Sequence, residues 1–141
     1  MAQLKKVATE NAPAAIGPYS QAMICGDLVF TSGQIAIDPA TGNVEAITIE
    51  DQTEQVMKNL GEVLKAAGSS FENAVKTTCF LADMGDFATF NGIYGQYFTT
   101  KPARSCVAVK TLPKNVLVEV EVIAMVNSAP TPIKKGKSLM A

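Results

Sequence analysis

Arg104 is the only arginine in the chain; the other eleven cations are lysines. A guanidinium differs from an ammonium in presenting parallel N–H donors that match a planar carboxylate or phosphate. It stands in Pro102-Ala103-Arg104-Ser105, where the proline restricts the backbone just ahead of it. Further on, Glu119 and Glu121 sit two apart in an otherwise apolar run. A sheltered carboxylate can position water or carry a proton; on the wet face of an antiparallel sheet it needs no special explanation. A sheltered one also needs a partner, and Arg104 is the only fork-shaped cation available. The three cysteines, Cys25, Cys79 and Cys106, are spaced 54 and 27 apart and form no C-x-x-C pair. Their odd number and spacing suggest free thiols in a reducing compartment, and neither a zinc site nor a disulfide framework.

What is missing excludes more. The 141 residues contain no histidine, so no Ser-His-Asp triad, Cys-His pair or imidazole acid/base operates within the chain. Residues 1–127 hold 9 Lys and Arg against 13 Asp and Glu, a net −4, and the remaining three lysines lie in the last stretch. A mildly acidic body disfavours binding to a phosphate backbone. Hydrophobic residues make up 48% and charged residues 18%, a globular composition at single-domain length. No apolar run is long enough to span a membrane. The N-terminus shows neither an apolar signal region nor the arginines of a transit peptide, so a cytoplasmic location is expected. Gly136-Lys137-Ser138 lacks the upstream glycine of a P-loop, since Thr131 occupies that place.

The elements that must position these residues follow from local patterns. Residues 22–25 and 28–32 are apolar runs joined by Gly26-Asp27, which suits a II′ hairpin. Residues 38–43 read as a turn, with Pro39 fixing φ and Gly42 supplying a positive one. Thr48, with Asp51 three residues on, opens a helix carrying Val56, Leu60, Val63, Leu64 and Ala67 at helical spacing, and Gly68 stops it. Alternation over residues 75–81 predicts a strand. A second helix is expected from Asp86, with Phe87, Phe90, Tyr94, Tyr97 and Phe98 on one face as core, weakened by Gly92 and Gly95. Strands near 105–109 and 116–126 complete an α+β domain with two helices on one face of a mixed sheet. In the last strand Val116, Val118, Val120 and Val122 should face the helices. Leu117, Glu119, Glu121, Ile123 and Met125 share the other face, which is too apolar for a surface washed only by solvent. Packing of copies sheet to sheet would shelter it. Residues 1–127 are expected to form one domain, and 128–141, rich in Ser, Pro and Lys, a disordered tail.

Several ordered segments resemble the RidA/YjgF/UK114 family of reactive-intermediate imine deaminases. They are Ala14-Ala15-Ile16-Gly17-Pro18-Tyr19-Ser20-Gln21-Ala22, Phe30-Thr31-Ser32-Gly33-Gln34-Ile35, Asp38-Pro39, Val75-Lys76-Thr77-Thr78 and Asp86-Phe87. Pro102-Ala103-Arg104-Ser105, Leu112-Pro113-Lys114 and Val118-Glu119-Val120-Glu121 match most strongly. The resemblance spans roughly residues 7–126.

It implies a chorismate-mutase-like fold, a homotrimer with a cleft between each pair of subunits, and no cofactor or metal. The implied reaction is hydrolysis of 2-imino acids, derived from enamines such as 2-aminoacrylate, to 2-keto acids and ammonia. Carried over, Arg104 grips the substrate carboxylate and Glu119 positions the attacking water. Cys106 lines the pocket mainly through its backbone, and Tyr19, Ser32, Gly33 and Asn91 occupy further pocket positions. The chain departs from the family pattern after Tyr97-Phe98, where Thr99-Thr100-Lys101 makes a short connection and puts a charge where an aromatic is usual. Two other readings share the fold: an RNA-acting translation inhibitor or endoribonuclease, and a non-catalytic carboxylate-binding or chaperone-like trimer.

Overall fold

A computed structural model describes residues 3–126, so the expectation of a tail over 128–141 lies outside the described residues. Eight strands and two long helices follow one another as β1 (Leu4–Val7), β2 (Ala22–Cys25), β3 (Leu28–Thr31), β4 (Ile37–Asp38), β5 (Asn43–Val44), α1 (Ile49–Ala66), β6 (Ala74–Leu81), α2 (Phe87–Tyr97), β7 (Ala103–Ala108) and β8 (Val118–Met125). Six strands form one sheet in the order β1-β2-β3-β8-β6-β7, while β4 and β5 pair by themselves. Only β6 and β7 run parallel within the large sheet, with α2 as the crossover between them. This is the expected α+β architecture.

Helix α1 starts where its cap dictates. The Asp51 N–H donates to Thr48 Oγ1 at 3.1 Å, satisfying one of the orphan amides of the first turn. Gly68, at φ +78°, ends the helix. Val56, Met57, Leu60, Val63 and Leu64 are fully buried along one stripe. Each such side chain contributes about 1.5–3 kcal/mol by leaving water. Beneath them lie Val118, Val120, Val122 and Ala124 of β8, also buried. Phe90, Tyr94 and Phe98 extend the same core from α2 and its C-cap. Gly92 and Gly95 are exposed on the outer side of α2, where they leave the packing intact.

The structure differs from the sequence expectation at three edges. β1 pairs with β2 although its Lys5 and Lys6 leave little apolar signal. The last strand begins at Val118 instead of Val116, because a short turn over Pro113–Asn115, with Lys114 and Asn115 in left-handed backbone, intervenes. β7 starts at Ala103, so Arg104 lies inside the strand.

Candidate functional site

Strand register decides where the chemistry sits, because residues paired across a sheet point to the same side. Arg104 pairs with Thr77, which pairs with Val122; Cys106 pairs with Cys79, which pairs with Val120. Thr77, Cys79, Val120 and Val122 are buried beneath the helices, so Arg104 and Cys106 belong to that helix-covered side. Glu119 pairs with Phe80 and Glu121 with Thr78 on the opposite, open side. Arg104 and Glu119 therefore face away from one another through a single sheet. The expected pairing of Arg104 with a carboxylate of the last strand is not made within the chain.

Arg104 is seated instead by α2. One guanidinium nitrogen donates to Asn91 Oδ1 at 2.7 Å. The guanidinium carbon lies 4.9 Å from the centre of the Tyr94 ring and 5.5 Å from that of Phe87. Such stacking holds a guanidinium flat against an aromatic face. Tyr94 is itself fixed by a 2.7 Å hydrogen bond between its hydroxyl and Thr77 Oγ1. Sequence reasoning placed Phe87 and Tyr94 in the core and missed this second role. Their spacing of seven, two helical turns on one face, was the available signal. Arg104, Asn91, Tyr94, Thr99, Lys101 and Pro102 line a depression of about 320 Å³. Cys106 lies one register step beyond Arg104 on the same side and lines neither this depression nor the next.

The second depression, about 570 Å³, gathers Tyr19, Ser32, Gly33, Lys114, Glu119 and Glu121. Its floor comes from a local break in the sheet. After β3 the chain swings out at Ser32 and Gly33 and rejoins β8 at Gln34, whose N–H donates to the Val120 carbonyl at 2.9 Å while Val120 N–H donates back at 3.1 Å. Across the break, Val122 N–H donates to Thr31 Oγ1 at 3.0 Å, replacing the missing ladder bond. Ser32 Oγ donates to the Ser20 carbonyl at 2.5 Å, tying the Tyr19 segment to the floor. Gln21, buried, donates to the Pro13 carbonyl at 2.7 Å and accepts from Thr9 N–H at 2.6 Å, which fixes the loop on the other side of Tyr19.

Gly33 is where the Glu119 carboxylate rests. A Cβ at position 33 would overlap Glu119 Oε2 and stand 2.8 Å from its Cδ. Gly33→Ala is expected to leave folding intact, since the Glu119 side chain can rotate away. That rotation moves the carboxylate, and any reaction that depends on its placement should slow roughly tenfold to a hundredfold. Near wild-type turnover by a folded Gly33→Ala protein would show that the position of Glu119 is immaterial.

Electrostatics assign different characters to the two sides. Burial, and then the neighbouring charge of Glu121, raise the Glu119 carboxyl above the usual carboxylate range. Burial pushes the Cys79 thiol up to about 12. Burial also raises Cys106, against the opposing influences of Arg104 and of a hydrogen bond with Cys79. A thiol kept protonated, with no base to ionise it, is a poor nucleophile. Cys106→Ala and Cys106→Ser are expected to retain most activity; a loss of several orders of magnitude in both, with the fold preserved, would restore a thiolate mechanism. Among the described residues no three His, Cys, Asp or Glu side chains converge to hold a metal ion. None of the described helices is long and apolar enough to cross a membrane.

The comparison that decides the lineage is a family profile, described as Endoribonuclease L-PSP, that matches residues 9–126. The chain belongs to the Endoribonuclease L-PSP, or YjgF/RidA, family. It is 50% identical over 125 residues to a 2-iminobutanoate/2-iminopropanoate deaminase of Salmonella typhimurium, covering 86% of this chain and 97% of that one. It is 53% identical over 130 residues to the RutC family protein slr0709 of Synechocystis, covering 86% and 96%. The crystal structure of the YjgF gene product of E. coli superposes with a TM-score of 0.82 at 46% identity, covering 87% of this chain and 99% of that chain. The match to the YjgF/RidA family takes in every residue of both depressions.

Proposed function

We propose that this chain hydrolyses 2-imino acids to 2-keto acids and ammonia in clefts completed between copies of itself. The observation that carries the reading is the division of the site. A carboxylate clamp without a water-positioning acid lies at the β7 edge, and an acid without a clamp lies on the open face. Bringing the first depression of one copy against the second of another supplies both. The open face favours such packing, since Phe30 and Met125 are 41% and 53% exposed there, with Ile123 beside them. A cyclic trimer makes one such interface per chain.

The chemistry needs little more. An iminium carbon is already electrophilic, so the protein's work is orientation and proton management. Arg104 holds the carboxylate of the substrate in one plane. Water near Glu119 attacks the imine carbon and gives up a proton to the carboxylate. The resulting carbinolamine takes that proton back on its nitrogen and loses ammonia while its hydroxyl proton passes to the Glu119 carboxylate, leaving the keto acid. A carboxyl raised by burial suits this exchange, because it can both accept and return a proton nearer neutrality. Tyr19, Ser32 and Gly33 shape the cleft on the Glu119 side, and Asn91 orients the guanidinium on the other.

An RNA-acting role has the family description on its side, but the acidic body of the chain and the lack of histidine argue against it. The deciding experiment generates 2-iminobutanoate in solution and follows keto-acid release with and without protein. Acceleration over spontaneous hydrolysis is expected. No acceleration would leave a cleft that binds small carboxylates without turning them over.

A further inference from the structure

We propose that Lys101 makes this cleft selective for 2-imino acids that carry a second carboxylate, such as iminosuccinate. The inference rests on the deaminase reading and deepens it by naming the substrate class. Lys101 lines the same depression as Arg104, and no acidic residue lines it with them. Glu119 and Glu121 belong to the other depression. One carboxylate of the substrate is taken by the guanidinium, which Asn91 and Tyr94 hold in place. When a neighbouring copy brings Glu119 and Glu121 to the cleft, the wall around Arg104 still contributes a second cation and no acid of its own, a place for a second carboxylate.

The backbone supplies an independent observation. Lys101 adopts φ +57°, the left-handed region that a side-chain-bearing residue enters at a cost and glycine enters freely. Its N–H donates to the Phe98 carbonyl at 3.2 Å, closing the turn, and Pro102 follows. The strained residue thus sits between a helix end and a fixed proline, three positions before Arg104. Glycine would relieve that strain, and here the strained position places an ammonium in the same depression as Arg104. Lys101 is exposed, so its attraction for an anion is screened by salt, whereas the bidentate geometry of Arg104 is not replaced by charge alone.

The test compares kcat/KM for iminosuccinate and 2-iminopropanoate, each produced in solution by an oxidase acting on aspartate or alanine. Wild-type protein should favour the diacid. Lys101→Gln should lower the diacid-to-monoacid ratio roughly three- to tenfold, and Lys101→Arg should keep it. Lys110→Gln, which alters an exposed lysine outside both depressions, should leave the ratio unchanged. Raising the salt to molar levels should shrink the wild-type preference. A wild-type protein that hydrolyses the monoacid with no diacid preference, or a ratio untouched by Lys101→Gln, overturns the inference and leaves the deaminase reading standing. If neither imine is turned over, the deaminase reading fails. Calorimetry with non-reacting succinate against butanoate then decides the selectivity: tighter succinate binding lost in Lys101→Gln supports it, and equal binding overturns it.

Discussion

Arg104→Ala and Glu119→Ala chains, each at the level of spontaneous hydrolysis when alone, should regain deaminase activity when unfolded together and refolded as a mixture. The expectation follows from the register that puts Arg104 under the helices and Glu119 on the open face. If a cleft takes its arginine from one copy and its glutamate from the next, a trimer holding both kinds of chain has one interface where the intact halves meet. In an equal random mixture about three quarters of trimers are mixed, so activity should return to roughly a quarter of wild type. Light scattering should give about three times 14.9 kDa for the wild type and both variants. A site contained in one chain predicts no recovery at all. Inactive mixed trimers would therefore sink the shared cleft, as would a monodisperse monomer.

Arg104→Lys should lower turnover by about one to two orders of magnitude, although the charge is kept. The guanidinium is held by Asn91 on one nitrogen and by the Tyr94 ring on one face; in the proposed reaction its remaining donors would meet the substrate carboxylate. An ammonium makes neither the stack nor the parallel pair of hydrogen bonds. Losing one charge-assisted hydrogen bond costs about 1.5–3 kcal/mol, which lowers kcat/KM about 10- to 150-fold when felt in the transition state. The assembly should survive, because the contacts of the guanidinium are to Asn91, Tyr94 and Phe87 of its own chain. Efficient turnover by Arg104→Lys would contradict the bidentate clamp, and dissociation of the trimer would make Arg104 a structural residue.

The parts of the molecule written most plainly in the sequence are those set by short-range patterns. The Thr48 cap, the apolar stripe of α1 and the alternating valines of β8 are each readable over a few residues, and each is as expected. β1 escaped notice because it is an edge strand whose Leu4, Lys5 and Lys6 are all exposed, leaving only Val7 buried and no alternation to read. The identities of Arg104 and Glu119 stood out by residue type and motif. Their placement on opposite faces did not, since it depends on β6 pairing in register with both β7 and β8. No window of the sequence contains that information. The seat of Arg104 was hidden for a different reason: Tyr94 is both a core aromatic, 7% exposed, and the surface on which the guanidinium rests. Reading it as core was correct and incomplete.

The buried thiol of Cys79 and its neighbour Cys106 bear on the hazard of the proposed substrate itself. Imines and enamines are reactive toward the proteins that handle them, and a thiolate is the first group they would modify. With its pKa pushed up to about 12 by burial, Cys79 stays protonated at neutral pH. Cys106, raised by the same burial, is likewise kept in its unreactive form. Two sulfurs on the Arg104 side of the sheet are thereby kept poorly reactive, and a protein that performs the proposed reaction would be spared alkylation by its own substrate.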